Sequence, residues 1–195
     1  VNLIEFIGGS IGEKKNHYLE AVDTPFFLKL DDDMIVFPNS VERLMYTIEH
    51  APGLGAITGI SGFNGYIPVY GGHSDYRFFG DHLFRWLYSI RDVVHNRQVL
   101  CDHIPEGHTI FRTKALPLGY DSKYEVGYSH YDTPLELKVT GWRCGVTPYA
   151  IFLHNHDNGL DPEYKGFHTG PRRELIKKSR KRFTEKWGYD IVDSK

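Results

Sequence analysis

The first seven residues, VNLIEFI, alternate apolar and polar side chains, the period of a β-strand, and a glycine turn follows. Residues 8–22 (GGSIGEKKNHYLEAV) then change rhythm: a glycine loop gives way to apolar positions at helical spacing. TPFFLKL, ending at Leu30, is a continuous apolar run of the kind buried on both faces of a parallel sheet. Residues 37–52 (FPNSVERLMYTIEHAP) predict a helix that Asn39 or Ser40 can cap and Pro52 stops. Residues 53–63 (GLGAITGISGF) read as a further strand. Strand, helix, strand, helix, strand in this order predicts an α/β sheet.

Beyond residue 62 the pattern is less regular, with glycines, histidines and tyrosines around one expected helix near HLFRWLYSIRDVV, residues 82–94. HTIFRTKAL (108–116) is strand-like and leads into a turn at PLGYDSKY. YDTPLELKVTGW (131–142) predicts a helix with Pro134 in its first turn, where the missing N–H costs nothing. CGVTPYAIFLHNH (144–156) is a strand ending in histidines, and residues 170–188 form a basic helix closed by Gly188. No repeat or linker divides the chain, so one domain is expected. A donor- and metal-side α/β part (1–60) precedes an acceptor-side and catalytic part (61–160) and a C-terminal basic helix (161–195).

Composition narrows the class. The 195 residues are 41% hydrophobic and 14% aromatic, enough for a real core. A net charge of -2 gives no global drive toward nucleic acid or membrane. Cys101 and Cys144 form no CxxC pair and read as buried or free thiols, with one disulfide between them left open. With no apolar run long enough to span a bilayer, a soluble domain is expected, cytoplasmic or peripheral to a membrane. A chain that opens inside a strand without an initiator Met is expected to be a piece of something longer.

Three constellations carry candidate chemistry. Asp31, Asp32 and Asp33 follow an apolar strand at the edge where an open α/β sheet binds ligands. Asp31 and Asp33 can point the same way while Asp32 turns aside. Hard oxygen ligands suit Mg²⁺ or Mn²⁺; a solvated turn explains the same residues without a ligand. Asp132, at a loop-to-helix junction, is a candidate general base or an ordinary helix cap. His154 and His156 end an apolar strand on one face, as metal ligands or as surface histidines. The HxD of His73 and Asp75 raises an iron oxygenase site, but the α/β opening disfavours the barrel such enzymes use.

The order of these pieces resembles that of family 2 glycosyltransferases with the GT-A fold. GEKKNHYLEAVDTPFFLKLDDDM is similar to that family's glycine, basic-Asn pair, helix, strand and DxD loop. GHTIFRTKALPLGYDSKY, YDTPLELKVTGWRCG, FLHNH and FTEKWG resemble its later segments in the right order. The resemblance implies a GT-A-like, Rossmann-like mixed sheet, mainly parallel and flanked by helices, with the usual N-terminal nucleotide-binding strands missing. It implies a metal-dependent transfer of sugar from a nucleotide-sugar donor, a UDP-sugar favoured, to an acceptor hydroxyl with inversion.

By the same resemblance Asp33 and His154 would hold Mn²⁺ or Mg²⁺, with His156 competing for the second place. Asp31, Asp32, Lys15 and Asn16 would lie near the donor, and Asp132 would be the base. Tyr131 stands where the family has Glu, which makes His130 a substitute base or acceptor contact. His73, Tyr70, Tyr76 and Trp86 offer aromatic and polar contacts for an acceptor of unknown kind, glycan, lipid or protein. The basic helix could touch an anionic acceptor or a membrane surface, and an upstream segment could complete the nucleotide site. A remnant that binds sugar nucleotides without turnover is the non-enzymatic alternative.

Overall fold

In the computed structural model the described residues are 9–63, 74–79, 82–87, 99–155 and 170–193. Helices α1 (Ile11–Glu20), α2 (Ser40–Glu49), α3 (Ser129–Val139) and α4 (Pro171–Trp187) flank two sheets. The strands are β1 (Phe26–Leu30), β2 (Met34–Val36), β3 (Leu54–Phe63), β4 (Ser74–Phe79) and β5 (His82–Leu87). They continue with β6 (Val99–Cys101), β7 (His108–Arg112), β8 (Arg143–His154) and β9 (Asp190–Asp193). The larger sheet runs β1-β7-β3-β8-β2, with β6 also on β8; the smaller runs β4-β5-β9.

The expectation of a mixed α/β sheet between helices holds, but not its mainly parallel composition. Among the described strands of the larger sheet only β3 and β8 pair in parallel, while β1–β7, β3–β7, β2–β8 and β6–β8 are antiparallel. Period and burial cannot report strand direction, which depends on how the connections run. The expected helix at 82–94 is also overturned where it is described: His82–Leu87 is β5, antiparallel to β4 and parallel to β9. Its pairing outweighs a weak helical pattern, as tertiary context often does for short apolar runs.

Local chemistry explains the better-defined elements. Ser10 caps α1: its hydroxyl accepts from the Glu13 N–H at 3.1 Å, while the Glu13 carboxylate accepts from the Ser10 N–H at 2.8 Å. Gly12 is required because a Cβ there would collide with the backbone of Asp121. Asn39 takes the cap position of α2 in the left-handed region (φ 62°) but makes no side-chain cap bond. The Ser40 hydroxyl is spent elsewhere, donating to the Ile151 carbonyl and accepting from the Ile151 N–H, both at 2.9 Å. Gly188 (φ 75°) closes α4 as the sequence predicts.

β8 organises the larger sheet. Its first half takes β6 on one edge and its second half takes β2, with β3 along the other edge. The β3–β8 register slips between Thr58/Val146 and Ile60/Ile151. Pro148 sits within that irregularity, where a missing ladder donor is tolerated. Gly59 lies there too, and a Cβ on it would collide with the Ala150 carbonyl.

β1 and β2 lie at opposite ends of the sheet order, yet only Asp31–Asp33 join them. Four strand spacings of about 4.8 Å exceed the roughly 14 Å that four residue steps can reach. The sheet therefore has to curl, and the aspartates cross its end. Because β1, β3 and β8 run in the same direction, their carboxyl ends share that end.

Three buried clusters support this frame. One, around Phe111, Cys101, Cys144, Leu137 and Tyr120, packs Trp142 and Leu19. A second sets Leu44 and Ile48 of α2 against Ile57, Ile110 and Phe152. The third joins Phe183 of α4 to Tyr124, Leu135, Tyr76, Leu83 and Ile191, fixing the last helix to the smaller sheet.

Candidate functional site

The Asp31–Asp33 loop is held by the backbone at both sides. The Asp31 N–H donates to the Gly107 carbonyl at 2.9 Å, and the Asn155 N–H to the Asp33 carbonyl at 2.8 Å. The loop thus links the residue before β7 to the residue after β8. At this edge the Asp33 Oδ2 lies 2.7 Å from His154 Nε2. Its other oxygen, Oδ1, is buried and has no hydrogen-bond partner among the described residues.

An orphaned carboxylate oxygen beside an imidazole is a donor set that suits a divalent ion of the Mn²⁺ type. Among the described residues no third His, Cys, Asp or Glu joins them to complete a three-ligand group. His156, the competing choice, lies outside the described residues, as do His73 and Tyr70; Trp86 is described only through its backbone in β5.

Asp31 sits beside this pair but faces a different partner. Lys29 Nζ donates to its Oδ1 at 2.6 Å. Burial alone would raise the Asp31 carboxyl, but the Lys29 charge and hydrogen bond outweigh it and hold the carboxyl below its usual value. Gly107 closes the cradle, since a Cβ there would collide with the Asp31 Oδ2. Asp32 occupies the turn between them.

Lys15 and Asn16 are brought to this region but are engaged in the scaffold. Lys15, 6% exposed, pairs with Glu106 and donates to Ser129 Oγ at 3.0 Å. Burial lowers its pKa, and the Glu106 charge opposes this without cancelling it. Lys15 therefore bridges the Glu106–Gly107 turn, on which Asp31 rests, to the start of α3. Asn16 clips the backbone of Tyr120: its Nδ2 donates to the Tyr120 carbonyl at 2.7 Å and its Oδ1 accepts from the Tyr120 N–H at 2.6 Å.

Asp132 lies in the first turn of α3, 2% exposed. Its Oδ1 accepts from Tyr124 Oη at 3.0 Å and from Trp187 Nε1 at 2.6 Å, and its Oδ2 from Lys186 Nζ at 2.8 Å. Lys186 also donates to Glu136 Oε1 at 2.5 Å. These bonds bring the C-terminal end of α4 onto the first turns of α3. A substrate hydroxyl would have to displace Lys186 or Trp187 to reach the Asp132 carboxylate.

His130 is placed differently. Half-buried, its ring lies 3.9 Å from that of Tyr131 and 5.9 Å from that of His103, itself 6.0 Å from Tyr76. The result is an aromatic and imidazole cluster at the N-terminal turn of α3.

The basic helix α4 is less free than its composition suggests. Arg182 binds Asp121 (2.6 Å), Arg180 binds Asp190, and Lys186 binds Asp132 and Glu136, all within the chain. No helix among the described residues is long and apolar enough to cross a membrane.

Sequence reasoning missed Glu106, His108, Lys29 and the roles of Lys186 and Trp187. His108 is buried, its ring tilted against that of Phe152 at 4.8 Å, and its Nε2 has no hydrogen-bond partner among the described residues. Burial pulls its pKa down to about 4. The EGH turn ahead of β7 was visible as a polar break, but nothing in it announced burial.

No protein-family model matches the chain, and no curated protein shows significant similarity to it. Among solved structures the chain is similar to GalNAc-T7 crystallised with UDP, GalNAc and Mn²⁺, at 13% identity and a TM-score of 0.59. The match covers 75% of this chain but only 30% of that one. At this identity the likeness establishes the fold: a glycosyltransferase-like, GT-A α/β architecture.

Proposed function

We propose that this chain is the transfer domain of a metal-dependent glycosyltransferase that moves a sugar from a nucleotide-sugar, a UDP-sugar, to an acceptor hydroxyl. The observation that carries the reading is the Asp33–His154 pair with its orphaned carboxylate oxygen, at the strand ends of a fold shared with a UDP- and Mn²⁺-bound transferase. Asp33 and His154 would hold Mn²⁺ or Mg²⁺. The ion, when bound, supplies positive charge to the departing diphosphate. Asp31, preorganised by Lys29 and Gly107, would orient the donor sugar or ribose, and Asp32 would border the same site.

Lys15 contributes at one remove, by fixing the turn under Asp31 to the helix that carries the acceptor-side residues. The base belongs to the N-terminal turn of α3. Asp132 fills that role if Lys186 and Trp187 withdraw; His130 could fill it without that rearrangement. Half-buried Tyr131 extends the same face toward an acceptor, and buried His103 packs behind it.

A second reading keeps nucleotide binding without turnover. It is favoured by the two-member ligand pair among the described residues and by a match spanning under a third of the known transferase. Calorimetric titration of UDP, with and without Mn²⁺, into wild type and Asp33→Asn tests the donor site. Mn²⁺-dependent binding lost in the variant is the expected result. Binding that ignores Mn²⁺ or survives the substitution refutes it. Release of UDP from UDP-sugars by the wild type then separates the transferase from the binding-only reading.

A further inference from the structure

We propose that Cys101 and Cys144 are a built cross-link site, at which a disulfide joins β6 to β8 during folding. The two residues are direct partners in the antiparallel β6–β8 ladder, in the run Val99↔Val146, Leu100↔Gly145, Cys101↔Cys144. Directly opposed residues in such a ladder have Cα atoms about 4.5–5.5 Å apart and side chains on the same face. A disulfide requires Cα atoms roughly 4.4–6.8 Å apart, so the pairing already meets the backbone condition. Both side chains lie in one buried cluster with Ala56, Ile104 and Leu137, and both thiols are free here.

Burial decides when the bond can form. Both thiols are almost wholly shielded. Burial raises the Cys101 thiol well above its ordinary pKa, and burial pushes Cys144 up to about 12. In the finished fold both sulfurs are shielded from an oxidant in solution. The reaction therefore precedes the seating of β6. One Cys thiolate attacks a small-molecule disulfide such as oxidised glutathione, releasing one thiol and leaving a mixed disulfide. The second Cys thiolate then attacks the protein sulfur of that mixed disulfide and expels the other thiol. Two protein thiols are oxidised, and one disulfide is reduced to two thiols.

The bond would tie together parts that carry different duties. β6 leads directly into Asp102, which binds Lys138 of α3 at 2.6 Å and accepts from the Tyr76 N–H at 3.1 Å. The chain then reaches Glu106 and Gly107 under Asp31. β8 ends in His154. A cross-link between them closes the whole segment that contains β7 and α3, the kind of long loop whose closure constrains the unfolded chain most. This inference stands independently of the proposed transferase activity.

The test is to unfold and refold the full chain in a mixed glutathione buffer, isolate the native monomer, and measure intact mass and a peptide map after alkylation under denaturing conditions. The expected result is a mass lower by two hydrogens and a linked peptide pair joining Cys101 to Cys144. The thermal midpoint without reductant should exceed that with dithiothreitol by roughly 5–15 °C. Cys101→Ala should abolish this reductant dependence. Native monomer whose two cysteines both still alkylate overturns the proposal, as does cross-linking between chains in place of the internal bond. Neither result requires the variant to fold.

Discussion

Replacing Asp132 with Ala should cost about 2–6 kcal/mol of folding stability, because it removes the acceptor at the centre of the α3–α4 junction. Three donors converge on this carboxylate: Tyr124 Oη, Trp187 Nε1 and Lys186 Nζ. Tyr124 is fully buried, and leaving its hydroxyl and the Trp187 N–H unsatisfied costs about 1–3 kcal/mol for each. Lys186 adds little, since it keeps Glu136 at 2.5 Å and Asp121 at 3.8 Å. Against a total stability of about 5–15 kcal/mol, the loss is large. Urea unfolding followed by far-UV circular dichroism measures it directly. Trp187→Phe, which removes one donor and keeps the carboxylate, should cost only about 1–2 kcal/mol. A Asp132→Ala midpoint within roughly 0.5 kcal/mol of wild type would refute the tether reading. The same pair of variants informs catalysis: if Asp132 is the base, Trp187→Phe should preserve or raise turnover while Asp132→Ala abolishes it.

Other consequences are simpler to state. Gly107→Ala should push the Asp31 carboxylate out of place and weaken Mn²⁺–UDP binding about tenfold, equivalent to about 1.4 kcal/mol, with little change in unfolding midpoint. In metal-free protein His108, buried neutral with a pKa of about 4 against 6.5 unfolded, makes the unfolded state bind more protons as pH falls. Stability should therefore drop by up to about 3 kcal/mol between about pH 6.5 and 4, and His108→Gln should flatten that slope in pH-dependent urea titrations. Ser10→Ala should cost about 1 kcal/mol by breaking the capping box of α1, measurable in the same unfolding assay.

Much of the local structure was legible because it is written in neighbouring residues. The helix after the glycine loop at residues 8–10, the glycine stop at Gly188, the apolar run of β1 and the long strand into His154 each depend on a short window. So did the candidate chemistry of Asp33 and His154, since strand alternation and three successive carboxylates need no partner to be noticed. The sequence also exposed the order of elements, and that order led to a fold now matched by a known transferase structure.

What only the tertiary structure decided are the meetings of residues far apart in the chain. Nothing near Asp33 announces that His154 will face it at 2.7 Å; that requires β2 to pair antiparallel with β8. Nothing near Lys15 or Asp132 announces their buried partners Glu106, Trp187 and Lys186, because a cation's exposure is fixed by what packs over it. Strand direction and the curl that brings the aspartates across the sheet end depend on the route of the chain. The sequence determined which residues are able to do chemistry. Packing decided which of them meet at the strand ends, and which are consumed in holding the fold together.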